Sequence, residues 1–226
     1  MLKVYNSTIT QWDDTDGALT SEAHPLLRSL QFVLTNFTSS KLPMGLWSAR
    51  FPQGVTVIEF CVTNLVELPP LVSLRWPHQI RLAWEGSPLA SVPSVLYELN
   101  LTQLSLARNP LTSIPTRVLR VPTLVAFSVA HTAMIAFPSN VTLSPVLEQL
   151  SIVKSAVSEM PSWFYDDLMH RPVHYLSEGL TLFAGESPFC ESIASQTIEN
   201  GERIVCASVR DDVSYPLDQE DAQSRV

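Results

Sequence analysis

The amino-acid sequence predicts an α/β-type repeat solenoid, a curved stack of short parallel strands joined by turns and short helices. Two observations predict it. One pattern of apolar residues occurs five times, in copies that begin at residues 55, 79, 101, 124 and 147. A proline closes every copy at the same position, which a continuous amphipathic helix would not tolerate.

The copy that begins at residue 101 is the most regular and reads LTQLSLARNPLTSIP. Its first apolar pair, Leu104 and Leu106, alternates with other residues, as in a short strand that buries one face. The second pair, Leu111 and Ile114, is followed by the proline, which fixes φ and favours a turn over a long return helix. Because one repeat cannot bury its own apolar face, neighbouring copies must stack.

The repeats divide the chain into three parts. Residues 1–54 form an N-terminal flank or cap, which contains a possible irregular first repeat at 30–43. Residues 55–193 form the solenoid, with a sixth, degenerate copy near residue 179. Residues 194–226 form a C-terminal cap and an acidic tail, for which a solvated segment is the simplest interpretation.

Composition excludes several classes of function. The chain is 46% hydrophobic and only 16% charged, so much of it should be buried. Its net charge of −8 does not favour a nucleic-acid partner. No stretch approaches the 18 apolar residues of a membrane span, so we expect no membrane contact by this segment itself.

No catalytic or cofactor motif stands out, so we expect neither an enzyme nor a cofactor. His170 and His174 are four residues apart, but Pro172 disfavours the continuous helix that would align them on a metal. Asp13, Asp14 and Asp16 lack the spacing of a calcium loop, and a solvated turn is the simpler interpretation. We therefore predict no metal site.

The repeat frame resembles the leucine-rich repeat, L-x-x-L-x-L-x-x-N-x-L-x-x-L-P. The resemblance implies a parallel sheet on the concave side of an arc and a function in recognition. The family asparagine bonds main-chain groups between repeats, and a hydroxyl can do this more weakly. In this chain the asparagine position is held by Thr63, Ser87, Asn109, Thr132, Ser155 and Ser187.

A further resemblance concerns the C-terminal part. Ser187-Pro188-Phe189-Cys190 looks like the N-P-x-C opening of extracellular C-terminal caps in this family, which implies a disulfide between Cys190 and Cys206. Two buried free cysteines are the alternative, since spacing alone does not define a bridge. Together with TNLVELP and YPLDQEDAQ, this segment is also similar to extracellular leucine-rich-repeat regions of uncharacterised oomycete proteins.

The glycosylation acceptors bear on localisation. N-x-S/T motifs occur at Asn6, Asn36, Asn100 and Asn140, which is four of the seven asparagines and indicates an extracellular or cell-surface protein. The first residues show no continuous apolar core of a secretory signal. The chain is therefore either a piece of a longer precursor or, alternatively, cytoplasmic.

Ligand binding is expected on the solvent-facing strand positions. Arg108, His131 and Lys154 would form a basic ladder on successive repeats that could meet an acidic ligand, although ordinary exposed charge is the alternative. The candidate positions on the concave face are Arg81, Glu85, Gln103, Ser105, Arg108, Ser128, His131, Gln149 and Lys154.

The predicted function is non-catalytic recognition of a protein or peptide ligand. The first hypothesis is an extracellular ectodomain or a fragment of a larger membrane-anchored protein. The alternative is an intracellular adaptor or scaffold in signalling. The sequence leaves the ligand and the oligomeric state open.

Overall fold

The computed structural model describes residues 1–15, 17–172, 174 and 179–207. Within these residues, one parallel sheet of nine strands runs through the chain, and each strand pairs with the next one in sequence. The strands are β1 Leu2–Ile9, β2 Ser29–Phe37, β3 Val57–Cys61, β4 Ile80–Glu85, β5 Leu101–Ser105, β6 Ala126–Ser128, β7 Gln149–Ser151, β8 Leu182–Phe183 and β9 Ile204–Val205.

The helices of the described chain are short. They are α1 Val72–Arg75, α2 Ser162–Asp166 and α3 Pro188–Ile193, supplemented by 3₁₀ turns. The prolines that close the repeats begin these return segments. The carbonyl of Pro69 accepts a 3.0 Å hydrogen bond from the Val72 amide at the start of α1, and Pro161 directly precedes α2. No helix among the described residues is long and apolar enough to cross a membrane.

The core lies between the sheet and these return segments. Leu82, Leu104, Phe127 and Leu150 stand in register on four adjacent strands, and each is at most 2% exposed. Both apolar pairs of all five predicted repeats are buried. The alternation in the sequence therefore predicted the inward face correctly, and the predicted repeat solenoid is confirmed.

Buried polar side chains at the asparagine position join neighbouring repeats. Asn109 Nδ2 donates a 2.6 Å hydrogen bond to the carbonyl of Trp84, and Asn109 Oδ1 accepts one of 3.0 Å from the Ser87 amide. A hydroxyl at this position can also join two repeats, since Thr63 Oγ1 lies 3.0 Å from Ser87 Oγ. Thr132 Oγ1 instead donates to the carbonyl of Val129 in its own repeat, at 2.7 Å.

The sheet extends beyond the predicted solenoid at both ends. β2 lies in the segment 29–37, which overlaps the possible irregular first repeat, and β1 precedes it. At the other end, Cys190, the third residue of α3, forms a disulfide with Cys206, just after β9. The alternative of two free thiols at these positions is therefore wrong. The boundaries of 1–54, 55–193 and 194–226 stay predictions, and the tail from residue 208 lies outside the described residues.

Candidate protein-binding surface

A left-handed turn follows every strand of the sheet from β3 to β8, within three residues of its last residue. The residue at this turn has a φ between 52° and 60°, a region that residues other than glycine rarely adopt. Because the chain turns there, the residue directly before the turn does not point to solvent, as the alternation of the strand would otherwise predict. The residues at the turn are Val62, Gly86, Arg108, His131, Lys154 and Glu186.

The structure corrects two of the predicted surface positions. Glu85 is 1% exposed and Ser105 is 7% exposed, so neither is the solvent-facing residue that the sequence predicts. Ser105 Oγ donates a hydrogen bond to Glu85 Oε1, which gives both buried side chains a polar partner. These two side chains therefore lie below the surface of the sheet and do not project from it towards a ligand.

A second small apolar cluster lies directly before the turn. Ala107, Ala130 and Val153 are at most 1% exposed and pack with Phe183, separately from the main core. Ala107 is buried because it occupies the same position before the turn as Glu85 does.

The seven other predicted positions are accessible. Arg81, Gln103 and Gln149, which we call the strand row, lie on β4, β5 and β7, with Ala126 between the last two. All three are partly exposed. The side chains of Gln103 and Gln149 make no hydrogen bond to the described part of the protein. They therefore retain their donors and acceptors for a ligand.

The basic strip consists of Arg108, His131 and Lys154, which lie on successive repeats. Their main-chain amides donate to the carbonyls of Ala130, Val153 and Gly185, at 2.9, 2.7 and 3.0 Å, so each residue is held at the same height of its repeat. The ammonium of Lys154 lies 3.4 Å from the carboxylate of Glu186, one repeat further along.

Small residues separate the strand row from the basic strip. Ser128 and Ser151 are partly exposed, whereas Ala83 and Ser105 are buried. Because these side chains are short, the two lines of longer side chains stand on either side of a shallow trough. We call these four residues, which stand in register on β4 to β7, the floor: Ala83, Ser105, Ser128 and Ser151.

The buried carboxylate of Glu59 lies near Arg81 of the strand row and is not among the candidate positions predicted from the sequence. Glu59 is 5% exposed, and burial raises its pKa, although the nearby Arg81 guanidinium and a 2.8 Å hydrogen bond from Gln31 Nε2 act in the opposite direction. Burial, together with the negative charge of Glu85, raises the pKa of the Cys61 thiol to about 12. An acidic residue in the apolar strand VIEFC was the available signal for this cluster.

The acceptor asparagines differ in accessibility. Asn6, Asn36 and Asn140 are exposed, whereas Asn100 is partly buried, and its Nδ2 lies 2.6 Å from His78 Nδ1. None of the four lies on the floor of the trough. Their use as glycosylation sites stays a prediction.

Residues weighed as metal ligands have other surroundings in the structure. The main-chain amide of His174 donates to Glu148 Oε1 at 2.8 Å, beside a cleft of about 430 Å³ that Arg171 also lines. Arg171 forms two 2.6 Å hydrogen bonds with the carboxylate of Asp167, so its guanidinium mainly fixes the local chain. Among the described residues no three His, Cys, Asp or Glu side chains cluster as metal ligands would; Asp16 lies outside them.

Comparison with known proteins places the fold. No protein-family model and no curated protein matches the chain. Among solved structures, Toll in the glycosylated Toll–Spatzle complex, a molecular hub in Drosophila development and innate immunity, matches with a TM-score of 0.55 at 12% sequence identity. The fold is a leucine-rich-repeat solenoid. The match covers 91% of this chain but only 34% of the matched chain, so the present chain corresponds to about a third of that length.

Proposed function

We propose that the protein is a non-catalytic recognition module that binds a protein or peptide ligand in the trough between the strand row and the basic strip. The observation that carries this proposal is the pair Gln103 and Gln149. Their partly exposed amides flank the floor and have no hydrogen-bond partner in the described chain. An amide in this state can donate to and accept from a ligand without breaking an existing bond.

The dimensions of the trough suit a polypeptide. From β4 to β7 it crosses three strand spacings, which is about 14 Å, or roughly four residues of extended chain. Short floor side chains allow a ligand main chain to approach the sheet closely. Arg81, Arg108 and Lys154 supply cationic groups at its margins, which favours a ligand with carboxylates or exposed carbonyls.

The chemistry of the face favours binding over catalysis. The thiol of Cys61 is 2% exposed, and its pKa of about 12 keeps it protonated at neutral pH, so it is a poor nucleophile. Ser105 is engaged with Glu85, whose side chain is itself buried. Neither arrangement supplies an activated nucleophile beside an accessible base.

We also propose that the module works outside the cell, as an ectodomain or part of a longer membrane-anchored protein. The Cys190–Cys206 disulfide and the exposed asparagines at 6, 36 and 140 support this, since disulfides persist in oxidising compartments. The resemblance to extracellular oomycete regions points the same way. Secretion with an added signal peptide, followed by glycosidase treatment and non-reducing electrophoresis, tests it. An unglycosylated product with free Cys190 and Cys206 would contradict the proposal.

The binding site is tested by recovering partners from extracellular fractions with three baits. These are the wild-type chain, a trough variant with Gln103→Ala and Gln149→Ala, and a control with Glu159→Gln, an exposed residue away from the sheet. We expect a partner that the wild type and the control retain and that the trough variant loses by tenfold or more, about 1.4 kcal/mol. Equal recovery by all three baits would exclude the trough as the site.

A further inference from the structure

We propose that the trough contains, at its C-terminal end, a subsite for a tyrosine side chain of the ligand, and that Phe183 is the residue that selects it. The inference rests on the proposed function and names one residue type of the ligand that the trough binds. Three features of the concave face at β7 and β8 carry it: an aromatic ring that ends the floor, a carboxamide without a partner and a positive charge.

The aromatic ring stands directly beside the last floor residue. Ser151 pairs with Phe183 on β8, whereas the floor positions of the four preceding strands hold only alanine or serine. Phe183 is partly exposed. It packs against the small apolar cluster of Ala107, Ala130 and Val153. Because this cluster belongs to the repeats of β5 to β7, the side chain leans from β8 back towards the trough and closes it with an apolar surface.

The space in front of Phe183 suits a second aromatic ring. Ser128 and Ser151 form its base on β6 and β7, and their side chains are short. Aromatic rings pack edge-to-face or offset with their centroids about 4.5 to 7 Å apart. A ligand ring above Ser151 lies about one strand spacing, roughly 5 Å, from the strand that bears Phe183, which is within this range.

The carboxamide of Gln149 lies at one edge of this space. Gln149 is two residues before Ser151 on β7, so the two side chains lie on the same face of the sheet. It is partly exposed and makes no hydrogen bond to the described part of the chain. A carboxamide oxygen accepts a hydrogen bond from a phenolic hydroxyl, which phenylalanine and leucine side chains lack. An apolar ring with a polar tip is the side chain that satisfies both Phe183 and Gln149.

Charge complementarity favours an aromatic over an aliphatic occupant. Lys154 follows Ser151 by three residues and lies at the opposite margin, in the basic strip, with 38% of its side chain exposed. An ammonium group is attracted to the negative face of an aromatic ring and has no such attraction to an aliphatic chain. Its ion pair with Glu186, at 3.4 Å between two partly exposed groups, is weak and does not prevent this contact.

Binding of N-acetyl-L-tyrosinamide to the full chain tests the subsite. The isotope-labelled protein is titrated with this compound, with N-acetyl-L-phenylalaninamide and with N-acetyl-L-leucinamide, while NMR follows the main-chain amides and the glutamine side chains. We expect the tyrosine compound to shift the signals of Ser128, Ser151, Phe183 and the Gln149 side chain. Its ring protons should show a nuclear Overhauser effect to the ring of Phe183. The phenylalanine compound should bind about threefold more weakly, and the leucine compound more weakly still.

Four variants separate the contributions. Phe183→Leu keeps an apolar side chain without the ring and should weaken binding of the tyrosine compound by about three- to tenfold, whereas Phe183→Tyr keeps the ring and should retain it. Gln149→Ala should abolish the preference for the tyrosine over the phenylalanine compound. Gln196→Ala is the matched control, because Gln196 is exposed and follows α3, away from the concave face, so all affinities should stay unchanged.

Several results would overturn the proposal. Equal affinities of the tyrosine and phenylalanine compounds would overturn the assignment to tyrosine. Signal shifts centred away from β6 to β8, or an unchanged affinity in Phe183→Leu, would overturn the subsite. If that variant does not fold, the absence of a nuclear Overhauser effect to Phe183 in the wild type has the same force.

The outcome is independent of the test of the proposed function. The probes are read without any partner, so their failure to bind leaves a partner that the wild-type bait recovers and the trough variant loses. Conversely, equal recovery by all three baits excludes the trough as the partner's site, while contact between the tyrosine compound and Phe183 is still observed.

Discussion

The side-chain amide of Asn109 donates a 2.6 Å hydrogen bond to the main-chain carbonyl of Trp84, one repeat earlier in the stack. The same amide contacts the carbonyls of Leu106 and Ala107, while its oxygen accepts the amide of Ser87. One buried side chain thus satisfies main-chain groups at the ends of two adjacent strands, β4 and β5, at once. This position couples the repeats beneath the trough.

Replacing Asn109 with alanine should therefore destabilise the protein by about 2–3 kcal/mol, because several buried polar main-chain groups lose their partner. Chemical denaturation of the variant and of the wild type measures the difference in the free energy of unfolding. Asn140→Ala, at an exposed site, should change it by about 0.5 kcal/mol or less. Equal effects of the two substitutions would contradict the coupling role of Asn109.

Glu59→Gln should stabilise the protein at neutral pH. Burial raises the pKa of Glu59 in the folded state above its unfolded value, so ionisation above about pH 4.5 costs folding free energy. The glutamine keeps an acceptor for Gln31 and has no charge to bury.

The thermal midpoint of Glu59→Gln should exceed that of the wild type at pH 7, and the gain should shrink as the pH falls through the glutamate range. Glu159→Gln, at an exposed position, serves as the control. A gain that does not depend on pH would show that burial of the charge is not its cause.

Cys61 should be inert towards thiol reagents in the folded protein. With a pKa of about 12, only about one thiol in ten thousand is ionised at pH 8, and the side chain is 2% exposed. Titration with a chromogenic disulfide reagent should detect no fast-reacting thiol in the native, oxidised protein and one thiol in denaturant. Stoichiometric reaction of the native protein within seconds would contradict this environment.

Removing the disulfide with Cys190→Ala and Cys206→Ala should lower the free energy of unfolding by about 3 kcal/mol, because the bridge closes a loop of 16 residues. Reductant should have the same effect on the wild type and none on the double variant. Denaturation curves with and without reductant measure both. An unchanged midpoint in the wild type on reduction would show that the C-terminal cap holds without the bridge.

The sequence predicted the inward face because its evidence is local and periodic. Leu104 and Leu106 alternate within one strand, and the same pair returns in each repeat. The hydroxyls at the asparagine position were also predicted to act between repeats, and Thr63 and Ser87 do so at 3.0 Å. These inferences need only the period of the strand and the repetition of the pattern.

The binding surface could be predicted only in part. Glu85, the last residue of β4, was assigned to solvent because the alternation of the strand was taken to continue up to its end. The left-handed turn at the next residue removes it from that face, and no residue type signals this turn, since Val62, Gly86 and Arg108 all adopt it. Strand β1 was not recognised, because 27 residues separate the starts of β1 and β2 and hide the period.

Each strand of the sheet pairs only with the strands immediately before and after it in the chain. No connection between consecutive strands crosses over another strand of the sheet. Duplicating one unit, such as residues 101–123, would insert a further strand and its return segment while leaving the existing pairings intact on both sides. The molecule is thus closer to a polymer of exchangeable units than to a globule of fixed size, and its gene can lengthen or shorten the recognition surface in whole steps.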